Sequence, residues 1–218
     1  MIECDSKGFQ KYVDLTCYTA SPFYVGFFQK SKTISYYAGI EAAMIYFIRN
    51  WFCFPMDLYA ECILLNRKEI SELRVDSPEI WDKYRGFWKS FQKREEVISH
   101  KEYEKRFENQ DDGTLSFDYI PETLFFRNGI PLETFVNMSV GFFLFSTIQS
   151  HCFFVNPNER LIYYPHNDCG YGLIAMDRES QQTGVRQLQK MRNETSRSQW
   201  HIIIPAIGES VTGDMEII

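Results

Sequence analysis

A short segment in the C-terminal third of the chain collects the side chains best suited to chemistry. Residues 165–172 include His166, Asp168 and Cys169, which are an imidazole, a carboxylate and a thiol within four residues. A thiolate is a strong nucleophile, and a nearby imidazole can take its proton or join it in binding a metal ion. The segment therefore raises two hypotheses: a Cys169 nucleophile activated by His166, or a metal held by all three side chains.

A structural role for this segment is the better prediction. Neighbours along an extended loop point in different directions, and a structural zinc site needs a fourth ligand, for which the chain has no Cys-x-x-Cys pair. We expect a connecting turn in which Asn167 and Asp168 bond main-chain amides, Gly170 and Gly172 supply positive φ, and Cys169 is buried. The sequence thus predicts no catalytic residue and no metal site, with His166 and Cys169 as the alternative catalytic pair.

Other signatures of catalysis are missing from the sequence. It has no glycine-rich phosphate-binding loop, no Gly-x-Ser-x-Gly turn and no His-Glu-x-x-His motif. A second His/Cys pair, His151 and Cys152, lies at the start of a predicted strand and is interpreted as structural. We therefore expect no cofactor.

Charge and composition bound the possible partners. The chain has 218 residues, of which 44% are hydrophobic and 24% charged, which is typical of a folded globular protein. Its net charge of −6 repels phosphate backbones, so general nucleic-acid binding is not expected and a basic protein partner is. The aromatic share of 17% indicates either a core packed with rings or a partner-binding face.

The sequence also predicts a cytoplasmic protein. Its first residues include Glu3 and Asp5, where a secretory signal would carry basic residues. The longest apolar stretches, 42–48 and 140–145, are too short to span a bilayer, so no membrane association is expected. The six cysteines are irregularly spaced, which favours buried, reduced thiols over a disulfide framework.

Hydrophobic periodicity predicts an α+β fold, with antiparallel strands and helices packed on one face of the sheet. In helix 35–51, Tyr37, Ile40, Met44, Phe47, Ile48 and Trp51 are expected to form one buried stripe. Turns are predicted at 156–159, within a hairpin, and at Asn128-Gly129. The predicted strands are 23–28, 58–65, 115–119, 123–126, 152–155, 161–164, 173–175 and 200–205. The predicted helices are 35–51, one beginning at 77–79, 100–107, 131–149 and 178–193.

A single domain over residues 1–218 is the favoured organisation. Residues 109–113, Asn-Gln-Asp-Asp-Gly, form a strong loop signal because their side chains compete for main-chain hydrogen bonds. The alternative is a subdivision there, into halves 1–108 and 114–218.

The C-terminal hairpin also carries a resemblance, over roughly residues 131–200. The matching segments are His-Cys-Phe-Phe-Val-Asn-Pro at 151–157, Leu-Ile-Tyr-Tyr-Pro-His-Asn-Asp-Cys-Gly at 161–170 and Leu-Ile-Ala at 173–175. They resemble an uncharacterised bacterial domain-of-unknown-function family with an F-x-N-P phrase, then I-x-H-x-Y-D-D-R-G, then an apolar strand. This chain has Asn167 and Cys169 where that family carries Asp and Arg. The resemblance implies an immunity-type or toxin-neighbourhood role and carries over no catalytic residue.

These observations favour a non-catalytic, protein-binding function, most simply an immunity-type inhibitor of a cytoplasmic toxin or effector. The carboxylates expected to face a basic partner are Glu104, Glu108, Asp111, Asp112 and Asp168. The alternatives are a small hydrolase or transferase that uses His166 and Cys169, and an accessory scaffold in a larger assembly. The sequence does not indicate an oligomeric state.

Overall fold

A seven-stranded antiparallel sheet organises the part of the chain that the structure describes. The computed structural model describes residues 6–52, 55–64, 78, 81–82, 85, 97–99, 124–145, 151–166, 168–194 and 199–205. The helices are α1 (Ser6–Gln10), α2 (Tyr36–Asn50), α3 (Leu132–Phe145) and α4 (Arg178–Glu194), with a 3-10 turn at Tyr18–Ala20. The strands are β1 (Tyr24–Lys30), β2 (Met56–Ala60), β3 (Cys62–Leu64), β4 (Val97–Ser99), β5 (Phe125–Ile130), β6 (Cys152–Asn156), β7 (Leu161–His166), β8 (Gly170–Ala175) and β9 (Trp200–Ile203).

The order of strands in the sheet mixes early and late parts of the chain. The sheet runs β5-β2-β6-β7-β8-β1-β9, and β3 and β4 form a separate parallel pair. Strands β1 and β2 precede residue 109, yet three strands from beyond residue 113 lie between them. Each half of the chain therefore depends on the other for its strand partners. The predicted loop at 109–113 itself lies outside the described residues.

The predicted packing of helices on one face is confirmed. Alternate residues of the strands, such as Phe154, Tyr163 and Leu173, share a buried cluster with residues from α2, α3 and α4. At the centre of the cluster, Phe47 of α2 stacks on Phe135 of α3, with ring centroids 4.7 Å apart. Aromatic rings are thus a large part of the core on the helical face of the sheet.

The N-terminal segment packs with the opposite face of the sheet. Phe9 of α1 and Val13 share a second buried cluster with strand residues that include Tyr59, Phe153 and Tyr164. The Phe9 ring lies 4.7 Å from that of Phe153. Both faces are therefore covered, which explains why the strands β6 and β8 are buried at every position. Within the described segments, no helix has the length and apolar sequence needed to cross a membrane.

Several local predictions are confirmed. The hairpin of β6 and β7 has its turn at residues 157–160, close to the predicted 156–159. Helices 35–51, 131–149 and 178–193 correspond to α2, α3 and α4. Of the helix predicted to begin at 77–79, the described residues Pro78, Trp81, Asp82 and Arg85 are helical. The predicted helix 100–107 and strand 115–119 lie outside the described residues.

Two local predictions are wrong. The predicted strand 58–65 is interrupted at Glu61, which separates β2 from β3. Asn128-Gly129 is not a turn but lies within β5, where the pairing with β2 shifts register. Gly129 there adopts a φ of 59°, and its N–H donates to Oδ1 of Asp57, 3.0 Å away. A bulge uses the same backbone freedom as a tight turn, so the dipeptide alone does not distinguish them.

Helix α4 begins with a reciprocal cap. The N–H of Ser180 donates to Oδ1 of Asp177 at 2.8 Å, and the N–H of Asp177 donates to Oγ of Ser180 at 3.2 Å. Arg160, from the hairpin turn, adds an ion pair to Asp177 at 2.6 Å. The hydrogen bonds from Ser180, and then that from Arg160, lower the pKa of Asp177 from 3.8 to about 2. The cap therefore holds the start of α4 beside the β6–β7 turn.

We expect this cap to give stability a specific dependence on pH. Because the carboxylate is favoured in the folded state, its contribution is fully present above pH 3.8 and is lost as the pH falls through about 2. Asp177→Ala should lower the melting temperature by a few degrees at pH 7 and by much less near pH 2. Thermal unfolding of the wild type and of Asp177→Ala between pH 2 and pH 7 measures the difference in melting temperature. An equal difference at pH 2 and pH 7 would contradict the role assigned to the carboxylate.

Candidate functional site

The segment 165–172, which contains His166, Asp168 and Cys169, spans the end of β7, the turn after it and the start of β8. His166 pairs with Gly170 as the last rung of that ladder. The N–H of Lys30, at the end of β1, donates to the main-chain oxygen of Asp168 at 3.2 Å. The turn is thus attached to β1 as well as to its own two strands.

His166 is held by the main chain of β1. Its Nε2–H donates to the carbonyl oxygen of Phe28 at 2.8 Å, and the edge of its ring meets the ring of Phe27, with centroids 5.1 Å apart. Burial lowers the pKa of His166, although the bond to Phe28 and the charge of Asp168 act in the opposite direction. His166 is therefore a neutral imidazole that links two strands.

Cys169 is buried, as predicted, and its thiol bonds away from His166. Its Sγ donates to the carbonyl oxygen of Tyr36, 3.7 Å away, at the start of α2. Burial raises the pKa of Cys169 to about 11, with Lys30 opposing the shift. At neutral pH the group is almost wholly the unreactive thiol. This geometry provides no activated nucleophile, so it gives the predicted Cys169–His166 catalytic pair no support.

The roles predicted for Gly170 and Gly172 are wrong. Among the described residues of the turn, the one with positive φ is Cys169, at 55°, whereas the two glycines lie inside β8; Asn167 lies outside the described residues. Both positions instead require the absence of a side chain: a Cβ at Gly170 would overlap the carbonyl oxygen of Phe28, and one at Gly172 would overlap the ring of Tyr164. The glycines allow close packing of the strands and rings around them.

Metal binding at this turn has no geometric support either. Among the described residues, no three or more His, Cys, Asp or Glu side chains are grouped so as to hold a metal ion. The free thiols described are Cys152 and Cys169, which are buried, and Cys17, which is exposed. The exposure of Cys17 differs from the expectation that the cysteines are buried.

Exposed aromatic and acidic side chains surround the start of α2. Tyr36 is 42% exposed and Tyr37 52%, and their rings meet edge to face at 5.9 Å. Glu41 and Ile45 are also exposed and follow Tyr37 at helical spacing, while exposed Asp168 is close enough to help raise the pKa of Tyr36. We call Tyr36, Tyr37, Glu41, Ile45 and Asp168 the tyrosine patch.

The tyrosine patch corrects one prediction and adds residues that the sequence analysis missed. Tyr37 was expected in the buried stripe of α2, but the buried stripe comprises Gly39, Ile40, Ala43, Met44 and Phe47. The spacing of Tyr37, Glu41 and Ile45 is itself a helical face, which is the signal that could have identified it. Of the five predicted partner-binding carboxylates, Asp168 belongs to this patch, whereas Glu104, Glu108, Asp111 and Asp112 lie outside the described residues.

A buried polar group lies on the opposite face of the sheet. His151 is 1% exposed, and its Nδ1 is hydrogen-bonded to the hydroxyl of Tyr18 at 2.9 Å. Burial, followed by the nearby Cys152 and Glu61, raises the pKa of Tyr18 well above its ordinary value. The phenol therefore stays protonated, and the contact joins the N-terminal segment to β6. This is the structural role expected for His151.

No protein-family model, curated protein or solved structure matches this chain. The resemblance of residues 131–200 to a bacterial domain family therefore stays a prediction. The assignment of function depends on the geometry of the turn and the tyrosine patch.

The close approach at Gly170 gives a prediction about stability. Gly170→Ala places a Cβ against the rigid main chain of Phe28, so we expect a loss of about 3 kcal/mol or more in the free energy of unfolding. Gly129→Ala is the matched control, because its Cβ has space and only the positive φ is strained. Its loss should be about 1 kcal/mol. Urea denaturation measures both, and a larger loss at Gly129 would contradict the role assigned to Gly170.

The state of the Cys169 thiol gives a second prediction. With a pKa of about 11, it should react with iodoacetamide at pH 8 at least about a hundredfold more slowly than an ordinary exposed cysteine. Exposed Cys17 is the internal reference. Peptide mass spectrometry over a time course gives both rates. Labelling of Cys169 as fast as that of Cys17 would restore the hypothesis of an activated nucleophile.

Proposed function

We propose that this protein acts by binding another protein, without catalysis, as an immunity-type inhibitor of a cytoplasmic toxin or effector. The single observation that carries this proposal is that His166 and Cys169 have structural roles in the fold. Both side chains, the strongest chemical candidates in the sequence, form hydrogen bonds to main-chain oxygens and hold the sheet and α2 together. Because these two side chains serve the fold, we assign recognition to exposed side chains such as that of Asp168.

The charge of the protein supports a basic partner. A net charge of −6 speeds encounter with a positively charged surface and disfavours phosphate-rich ligands. A partner that acts on nucleic acids or nucleotides needs a basic site for the phosphates, and an acidic protein can cover such a site. The implied immunity role of the resemblance points to the same class of partner.

The proposal predicts rescue of growth. Expression of a toxic protein from the adjacent gene should arrest growth, and co-expression of this chain should restore it. The Cys169→Ala variant should rescue equally well, because a binding surface does not require the thiol. Failure of the wild-type chain to rescue, with both proteins present and folded, would contradict the immunity role. Rescue that is lost only in Cys169→Ala would favour the hydrolase or transferase alternative.

The proposal also predicts a dependence on the acidic side chains. Charge reversal at Glu104, Glu108, Asp111, Asp112 and Asp168 together should weaken binding of the cognate partner at least about tenfold, mostly through slower association at low salt. Reversal of Glu179 and Glu194, which are exposed on α4, is the control for a general change in charge. Surface plasmon resonance at two salt concentrations gives the rates. Unchanged affinity in the five-site variant would remove these carboxylates from the interface.

A further inference from the structure

The Asn128-Gly129 pair lies where β5 bulges against β2, and it is the one Asn-Gly sequence in the chain. We propose that Asn128 is a site of spontaneous deamidation and that the buried carboxylate of Asp57 holds the reaction back. The inference is independent of the proposed function. It rests on the bulge, on the exposure of Asn128 and on the hydrogen bond that the Gly129 nitrogen makes.

The bulge brings a buried carboxylate to the main-chain nitrogen of Gly129. Strands β2 and β5 pair on both sides of Asp57, but at this position one residue of β2 lies opposite two of β5, Asn128 and Gly129. Asn128 is exposed, whereas Asp57 is only 7% exposed. The N–H of Gly129 donates to Oδ1 of Asp57 at 3.0 Å. The nitrogen that follows an exposed asparagine is thus held by a buried acceptor.

An asparagine followed by glycine contains both reacting groups of a deamidation. The nitrogen of Gly129 attacks Cγ of Asn128, so that a new N–C bond forms and the bond from Cγ to Nδ2 breaks. The proton that the Gly129 nitrogen loses leaves with the side-chain amide as ammonia. Water then opens the cyclic imide at either carbonyl and leaves aspartate or isoaspartate at position 128. Glycine favours the reaction because it has no Cβ to hinder the approach of its nitrogen.

The hydrogen bond to Asp57 opposes the first step of this reaction. The Gly129 nitrogen has to give up a strong, charge-assisted bond before it can reach Cγ of Asn128. The main chain of Asp57 is held in place, because β2 pairs with β6 as well as with β5. Among the described strands, β5 has one neighbour instead of two, so it can open locally without parting the rest of the sheet. Deamidation therefore requires β5 to separate from Asp57 at the bulge.

The product weakens the pairing that delayed it. Both forms put a negative charge on residue 128, across the strand pair from Asp57, and like charges in that position are destabilising. Isoaspartate also adds a carbon to the main chain, which disturbs the pairing of β5 beyond it. Each reacted molecule therefore keeps a permanent record that this edge strand has opened.

Deamidation rates in the folded protein and in a short peptide test the proposal. The wild-type protein and a synthetic peptide of residues 124–132 are incubated at mildly alkaline pH, and peptide mass spectrometry follows aspartate and isoaspartate at position 128. The peptide has the same Asn-Gly pair but lacks Asp57. The protein should react at least about tenfold more slowly, since a hydrogen bond to a charged group commonly contributes such a factor. Equal rates would overturn the proposal.

Variants at position 57 separate the hydrogen bond from the stability of the whole fold. Asp57→Ala removes the acceptor and should raise the deamidation rate about tenfold, whereas Asp57→Asn keeps an acceptor oxygen and should stay within about threefold of the wild type. Asp177→Ala is the matched control, because it removes a hydrogen-bonded carboxylate from the cap of α4 and leaves the bulge intact. An unchanged or lower rate in Asp57→Ala, or an equal acceleration in Asp177→Ala, would refute the role of Asp57.

Amide hydrogen exchange measures the same contact without any substitution. In the wild type, the Gly129 amide should exchange at least about tenfold more slowly than in the peptide, because Asp57 holds its proton. This measurement decides the matter if circular dichroism shows that Asp57→Ala does not fold. Exchange as fast as in the peptide would mean that the nitrogen is unrestrained, and the proposal would fail.

Discussion

The pairing of β1 with β8 is the interaction on which the rest of this structure depends. It joins a strand from near the N-terminus to the β6–β7–β8 meander and gives β9 its place at the edge. It requires the glycine at position 170, where the main chain of β1 comes too close for a side chain. The bond from His166 to Phe28 and that from Lys30 to Asp168 close the same junction. His166 and Asp168, which the sequence marked as candidates for a functional site, thus help to connect β1 to β7 and β8.

The aromatic content of the chain has two uses, and the structure separates them. Most described rings are buried on the two faces of the sheet; on the helical face, Phe47 contacts Phe135, Tyr163 and Tyr171, whose elements are all far from α2 in the sequence. Such contacts between distant elements fix how α2 and α3 sit on the strands. Tyr36 and Tyr37 are different, because they remain exposed at the start of α2. Composition alone predicted a ring-packed core or a partner-binding face; the structure confirms the core, and a binding face stays a prediction.

Local patterns predicted local structure well, and long-range contacts explain what they missed. The Asn156-Pro157 turn and the short apolar runs on either side of it identified the hairpin, because both signals lie within about fifteen residues. Helical spacing identified α2 and most of its buried stripe, but it also placed Tyr37 on that stripe, whereas Tyr37 is exposed. The roles of Gly170 and Gly172 depend on Phe28 and Tyr164, which only the folded chain brings near. The geometry of the predicted site was likewise inaccessible, since the partners of His166 and Cys169 come from β1 and α2.

The interleaved order of the strands has a consequence for how the protein is made. On the ribosome, β1 emerges early, but both of its neighbours, β8 and β9, are among the last described elements to be synthesised. At typical rates of translation the strand waits on the order of ten seconds with both edges unpaired. Its sequence, Tyr-Val-Gly-Phe-Phe-Gln-Lys, is apolar and rich in β-forming residues, so nascent chains are exposed to aggregation in that interval. A chaperone that shields β1 until release would therefore have more influence on the yield of this protein than on its final stability.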